Sequence, residues 1–99
     1  MPAPIPDLKV KILAEAVKQA ARLGFMNIRR DDIAMAMGVA AGGVTYHWKH
    51  MDKLKTAVVR HAIDNQALPI IAQAITAGHH LAAKIPDDLR RRALLAAAR

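Results

Sequence analysis

The stretch that most restricts how this chain folds is DIAMAMGVAAGGVTYHW, Asp32 to Trp48. Ile33, Ala34 and Met37 fall on one face at helical spacing, Gly38 can take the left-handed conformation that ends a helix, and Val39 re-enters the core behind it. A second helix then starts near Ala41 and puts Val44 and Trp48, four residues apart, on its buried side. Ile33, Ala34, Gly38, Val39, Val44 and Trp48 are therefore the expected core of a helix, a glycine turn and a helix. An ordinary corner in an all-helical domain has the same local grammar, so the neighbouring residues decide what the corner is for.

Those neighbours are small, polar and basic. Ala40, Ala41, Gly42 and Gly43 let the start of the second helix come close to another molecule, while Thr45, Tyr46 and His47 offer a methyl, a hydroxyl, an aromatic face and a ring nitrogen on or beside its outer side. No acid lies between Val39 and Met51. If the partner is a nucleic-acid duplex, Ala41, Gly42, Gly43, Thr45, Tyr46 and His47 are the candidates for base edges. Arg29 and Arg30 stand at the start of the preceding helix, where cations oppose the helix dipole at a cost of a few tenths of a kcal/mol each. A phosphate would remove that conflict, and Arg29, Arg30, Lys49, His50 and Lys53 are the phosphate candidates.

Charge points the same way. Fifteen Lys and Arg against eight Asp and Glu leave a net charge of +7, which suits a polyanion such as nucleic acid or an anionic membrane surface; a basic surface that serves solubility alone is the plainer alternative. The absence of Cys removes disulfides, thiolate chemistry and cysteine zinc sites. With no Ser and no phosphate-cradling glycine loop either, an enzyme is not expected. His47 and His50 lie three apart and His79 adjoins His80, but no added Asp, Glu or Cys ligand is evident, so neither a metal nor a cofactor is expected. His61 reads as a packed, hydrogen-bonded core residue. The start of the chain shows no leader of signal-peptide type, and no apolar run approaches the roughly 18 residues that span a bilayer, which predicts a soluble chain without a membrane partner.

In chain order, three prolines in residues 1–6 predict an extended arm, and Asp7 an N-cap. Ile12, Leu13, Ala16, Val17, Ala20 and Leu23 predict a first helix over Leu8 to Leu23, ended by Gly24, with Phe25 folding back as a plug. Asn27 or Ile28 leads into the second helix. After the link at Lys49, His50 and Met51, Asp52 is the expected cap of a fourth helix. That helix carries Leu54, Ala57, Val58, His61 and Ala62 on one face and Val59, Ile63 and Gln66 on another, so it packs on two sides. Pro69 restarts the chain, Ile70 to Ala77 makes a short apolar helix, and Gly78, His79 and His80 turn. Pro86 and Asp87 then open a last helix in which Leu89, Ala93, Leu94 and Ala97 alternate with Arg90, Arg91, Arg92 and Arg99. The expectation is an all-α chain: an arm at 1–6, a helix-turn-helix unit with its linking helix at 7–67, and a short helical tail at 68–99. Apolar stripes in that tail, with little chain to bury them, predict a two-fold interface. Its aliphatic composition favours closely approaching helices over a roomy cavity.

From Ile12 to about Val58 the sequence resembles the DNA-binding domain of the tetracycline-repressor-like (TetR) family of transcriptional regulators. The matching residues are Gly24-Phe25 at the end of the first helix, Asp32-Ile33-Ala34 and Gly38-Val39 around the second, and Gly42-Gly43-Val44-Thr45-Tyr46-His47-Trp48 against the family's Gly-Thr-Leu-Tyr-aromatic/His-Tyr/His-Phe. The chain departs from the family at Gly43 and Thr45, where a Thr and a Tyr are usual, and at Met51, where the family often has a lysine; Lys49 and Lys53 flank it. The resemblance implies a three-helix, homeodomain-like unit in a cytoplasmic, nucleoid-associated regulator from a bacterial chromosome, phage or plasmid. It further implies a homodimer that binds double-stranded DNA sequence-specifically, more as a repressor than an activator. About forty residues follow Val58, where the family carries a large inducer-binding domain, so no inducer pocket is expected and the tail is assigned to dimerisation. The departures at Gly43 and Thr45 favour the alternative, a small helical protein-interaction module, an adaptor or anti-repressor, that keeps the fold without reading DNA.

Overall fold

The computed structural model describes residues 7–98, and all regular structure among them is helical. Six α-helices follow one another: α1 (Leu8–Leu23), α2 (Arg30–Met37), α3 (Ala41–His47), α4 (Met51–Asp64), α5 (Leu68–Ala77) and α6 (Asp87–Ala97). Short 3-10 turns lie at Phe25–Asn27 and His80–Lys84. The expected arm at 1–6 and Arg99 lie outside the described residues.

The stripe that predicts α1 is the one it buries. Ile12, Ala16 and Ala20 are fully enclosed, and the small side chains let α2, α3, α4 and α5 all pack against this helix. Gln19 lies on the same buried side, where its Nε2 donates to the Asp32 carbonyl of α2 at 3.3 Å and to Glu15 Oε2 at 3.4 Å. Phe25 folds back as a plug, with 1% of its surface exposed. On α4, Leu54, Val58, Val59 and Ala62 are buried, so two adjoining stripes face the core as their spacing predicts. Ala57 and His61 are only half-buried, at its margin.

Local details differ from the sequence pattern in several places. Asp7 precedes α1 with a left-handed backbone (φ 58°) and makes no side-chain cap; its carbonyl accepts the Lys11 N–H at 2.9 Å instead. Asp52 is not the cap of α4, because that helix already starts at Met51 with His50 at the N-cap position. Its carboxylate still lies in the first turn, where the helix dipole favours an anion. Leu23 and Leu94 turn outward rather than into the core. The main revision concerns the tail: Ile70, Ile71, Ala72, Ala74, Leu81, Ala82, Ile85, Leu89 and Ala93 are all buried within the chain. α5 and α6 form a closely packed pair, and α5 also rests on α1 and α4, so the tail covers most of its own apolar surface. Leu94 and Leu95 on α6 remain outside.

Two side chains of the tail, Gln73 and His79, meet the first half. Gln73 of α5 accepts the Phe25 N–H at 2.8 Å through Oε1 and donates to the Ala20 carbonyl at 3.2 Å through Nε2, which holds the end of α1 and the plug together. His79 stands edge-on to Phe25 (5.6 Å, 81°), stacks on His80 (4.4 Å, 26°), and accepts the Leu81 N–H on its Nδ1 at 3.1 Å. The same nitrogen cannot accept once it is protonated.

Gln73→Leu keeps the volume and strands the Phe25 N–H, so unfolding in urea should show a loss of about 1 to 3 kcal/mol. For His79, burial first and the neighbouring His80 second hold the imidazole below its usual pKa of 6.5. The unfolded chain therefore takes up this proton before the folded one, and the contribution of His79 is complete above about pH 6.5 and declines as pH falls toward the lowered folded value. Melting curves between pH 7.5 and 5, a range of about one unit above to somewhat below the imidazole pKa, should show a steeper decline for the parent than for His79→Gln.

Candidate nucleic-acid interface

The turn between α2 and α3 is closed by backbone bonds that only a left-handed residue permits. Gly38 (φ 69°) donates its N–H to the Met35 carbonyl at 3.2 Å, and the next amide, Val39, reaches the Ala34 carbonyl at 3.0 Å. This paired arrangement is the Schellman ending of a helix, and it delivers the chain in an extended step at Ala40 to the start of α3. A Cβ at Gly38 would meet nothing within 4 Å, so the requirement for glycine there is conformational.

α3 is seven residues long and has no side-chain N-cap. Val44 is fully buried, and Ala41 and Trp48 flank it half-buried, so the 41, 44, 48 face turns inward. Val39 is half-buried against the same cluster. Gly42 and Tyr46, four residues apart, define the outward face, with Tyr46 83% exposed. Gly43, Thr45 and His47 lie between the two faces. The Tyr46 ring meets His47 edge-on at 5.0 Å, and the Thr45 hydroxyl donates to the Ala41 carbonyl at 3.2 Å, which turns its polar atom along the helix. A Cβ at Gly42 or at Gly43 would enter open space.

The cationic candidates separate into two kinds. Arg29, at the N-cap position of α2, is exposed, as are Lys49, His50 and Lys53. Arg30 is half-buried instead, and its Nη2 donates to the Lys49 carbonyl at 3.5 Å, which ties α2 to the link between α3 and α4. Trp48 is placed by a residue far away in sequence: its Nε1 donates to the Lys9 carbonyl at 3.1 Å, and Lys9 Nζ stands 4.9 Å from the centre of its ring. His47, Trp48, Lys49, His50 and Lys53 share with Lys9, Thr56, Ala57 and Arg60 an open recess of about 460 Å³. Sequence spacing does not find Lys9, because it is 39 residues from Trp48; Thr56 and Arg60 follow Lys53 at helical spacing, a signal that the α4 core stripe overshadows.

The described residues contain no group of three or more His, Cys, Asp or Glu side chains placed to hold a metal ion, and no helix long and apolar enough to cross a membrane. Protein-family models, curated proteins and solved structures were compared with the chain, and none matches.

The burial pattern separates the two aromatic residues of this region. Trp48→Ala removes a half-buried ring, its hydrogen bond and its lysine contact, and should destabilise the fold by about 1.5 to 3 kcal/mol, less than the loss for a fully enclosed Trp. Tyr46→Ala should stay within about 0.5 kcal/mol of the parent, since the ring is held mainly by solvent. Thermal melts of the two variants check both values.

Proposed function

We propose that this protein is a sequence-specific DNA-binding transcriptional regulator, more a repressor than an activator, which enters the major groove with α3. The observation that carries this reading is the composition of that helix against its surroundings. Two glycines each cost a helix up to about 1 kcal/mol relative to alanine, yet a Cβ at either position would meet no other part of the described chain within 4 Å. Glycines with no internal steric purpose suit a close approach by an outside molecule. Beside them stands the exposed Tyr46, and around them Arg29, Lys49, His50 and Lys53 offer positive charge with no acid from residue 40 to residue 51. Tyr46, His47 and the Ala41–Gly43 backbone take the base-edge role. Arg29, Lys49, His50 and Lys53 take the phosphates, while Arg30 positions the link that carries Lys49.

Regulators of this kind bind as symmetric dimers. Because the tail buries most of its own apolar residues, the large apolar side chains that it leaves exposed for a two-fold contact are Leu94 and Leu95 on α6. Sedimentation should give a dimer that Leu94→Glu, Leu95→Glu dissociates; a parent monomer with full affinity for DNA counts against the two-fold arrangement.

The second reading, a protein-interaction module, draws on one specific feature. An open apolar groove of about 520 Å³ lies between the Phe25–Asn27 turn, α5 and α6, and its polar members Gln73, Asn27 and Thr76 are each hydrogen-bonded inside the chain.

Titration of labelled random duplex between about 50 and 200 mM salt separates the readings, because each phosphate contact contributes about 0.9 to the slope of log affinity on log salt. Lys49→Ala, Lys53→Ala should flatten that slope by about two units. Gly43→Ala should raise the melting temperature and weaken specific binding together. Binding that is absent, or indifferent to salt, favours the interaction module.

A further inference from the structure

The recess between the first turn of α1 and α4 gathers four cationic side chains, of which the DNA reading leaves Lys9 and Arg60 unused. Lys9 enters it from α1, Lys49 from the link, and Lys53 and Arg60 from one face of α4, where Thr56 adds a hydroxyl between them. Among the described residues, no carboxylate lines it. Its volume of about 460 Å³ falls within the size range of small-molecule sites. The DNA reading uses Lys49 and Lys53 beside α3, whereas Arg60 lies two turns further along α4, about 10 Å from Lys53 by helix rise.

We propose that this recess is a binding site for a small soluble oligophosphate, an anion with at least two linked phosphate groups, either inorganic or the phosphate arm of a nucleotide. One carboxylate or one isolated phosphate would leave most of the four cations unpaired. Linked phosphates follow the row of Lys53, Thr56 and Arg60 along α4, with Lys9 and Lys49 closing from the other side. Arg60 supplies a planar guanidinium that holds a phosphate with two parallel hydrogen bonds. The ε-ammonium groups act as point charges around it. The site shares Lys49 and Lys53 with the proposed DNA interface and adds Lys9, Thr56 and Arg60, which have no part in it.

Trp48 is the only tryptophan of the chain and lies in the wall of the recess, so its emission reports occupancy directly. The full chain is titrated with tripolyphosphate, ATP, adenosine, and sodium sulfate at matched ionic strength, with calorimetry as a second readout. Saturable binding of tripolyphosphate and ATP is expected, with no response to adenosine or sulfate. Arg60→Ala should weaken both by about tenfold, the loss of one charge-assisted pair, and Arg60→Lys should recover part of it. Equal affinities assign the site to the phosphate chain alone, and tighter ATP assigns it to a nucleotide. A response to sulfate equal to that of tripolyphosphate, binding of adenosine as tight as ATP, no binding at all, or an unchanged affinity in Arg60→Ala each overturns the proposal. Random duplex titrated in parallel keeps the two readings distinct: loss of DNA binding with intact tripolyphosphate binding removes only the DNA reading, and the reverse outcome removes only the oligophosphate site.

Discussion

The close approach of four helices to the Ile12, Ala16 and Ala20 face of α1 is the contact on which the remaining structure depends. Small side chains on that face let neighbouring backbones come near enough for Gln19 to reach the Asp32 carbonyl and for Gln73 to reach the Ala20 carbonyl. α1 is thereby pinned by different partners near its two ends. Trp48 bonds to Lys9 in its first turn and Gln73 to Ala20 in its last, about 16 Å apart along the axis. The first contact places the end of α3 and the basic recess; the second attaches the tail. An elongated molecule of 50 × 21 × 18 Å thus has one rod whose two ends serve different neighbours.

α3 illustrates how little of a helix's stability must come from the helix itself. Seven residues, two of them glycine and none a side-chain cap, are too few and too weak to remain helical alone. Burial of Val44, the packing of Ala41 and Trp48, and the Gly38 turn hold α3 in place from one side. The outward side, with Gly42 and Tyr46, consequently carries little of the packing that holds the helix. Arg30 belongs to the supporting side: its guanidinium bonds to the link after α3 while the adjacent Arg29 remains exposed.

Most of the element boundaries were legible because strong local signals agree with one another. The apolar period of α1 ends at Gly24, Gly38 and Gly78 stop α2 and α5 in the left-handed conformation, and Pro86 with Asp87 starts α6. Caps were less legible. Asp7 and Asp52 have the chemistry of a cap, but capping depends on where the preceding backbone places the carboxylate, and neither is placed to bond. The bridging glutamines were not legible at all, since Gln19 and Gln73 look like solvated residues until the partner carbonyls, 13 and 53 residues away, are brought beside them. The candidate site divides in the same way. The inward Val44 and outward Tyr46 follow from the period of the helix, whereas the separation of Arg29 from Arg30 does not.

Sequence alone determined that this chain is all-helical, where its helices turn, and that its surface is strongly basic, because periodicity, turn residues and charge act within a few residues of one another. Tertiary structure decided that the tail closes on itself and on α1, that Trp48 stands half-buried over Lys9, and that Lys9, Lys53 and Arg60 line one recess. Each of those outcomes joins residues separated by more than a helix length or placed on different helices, and such meetings are set by the packing of helix faces, which no local pattern encodes.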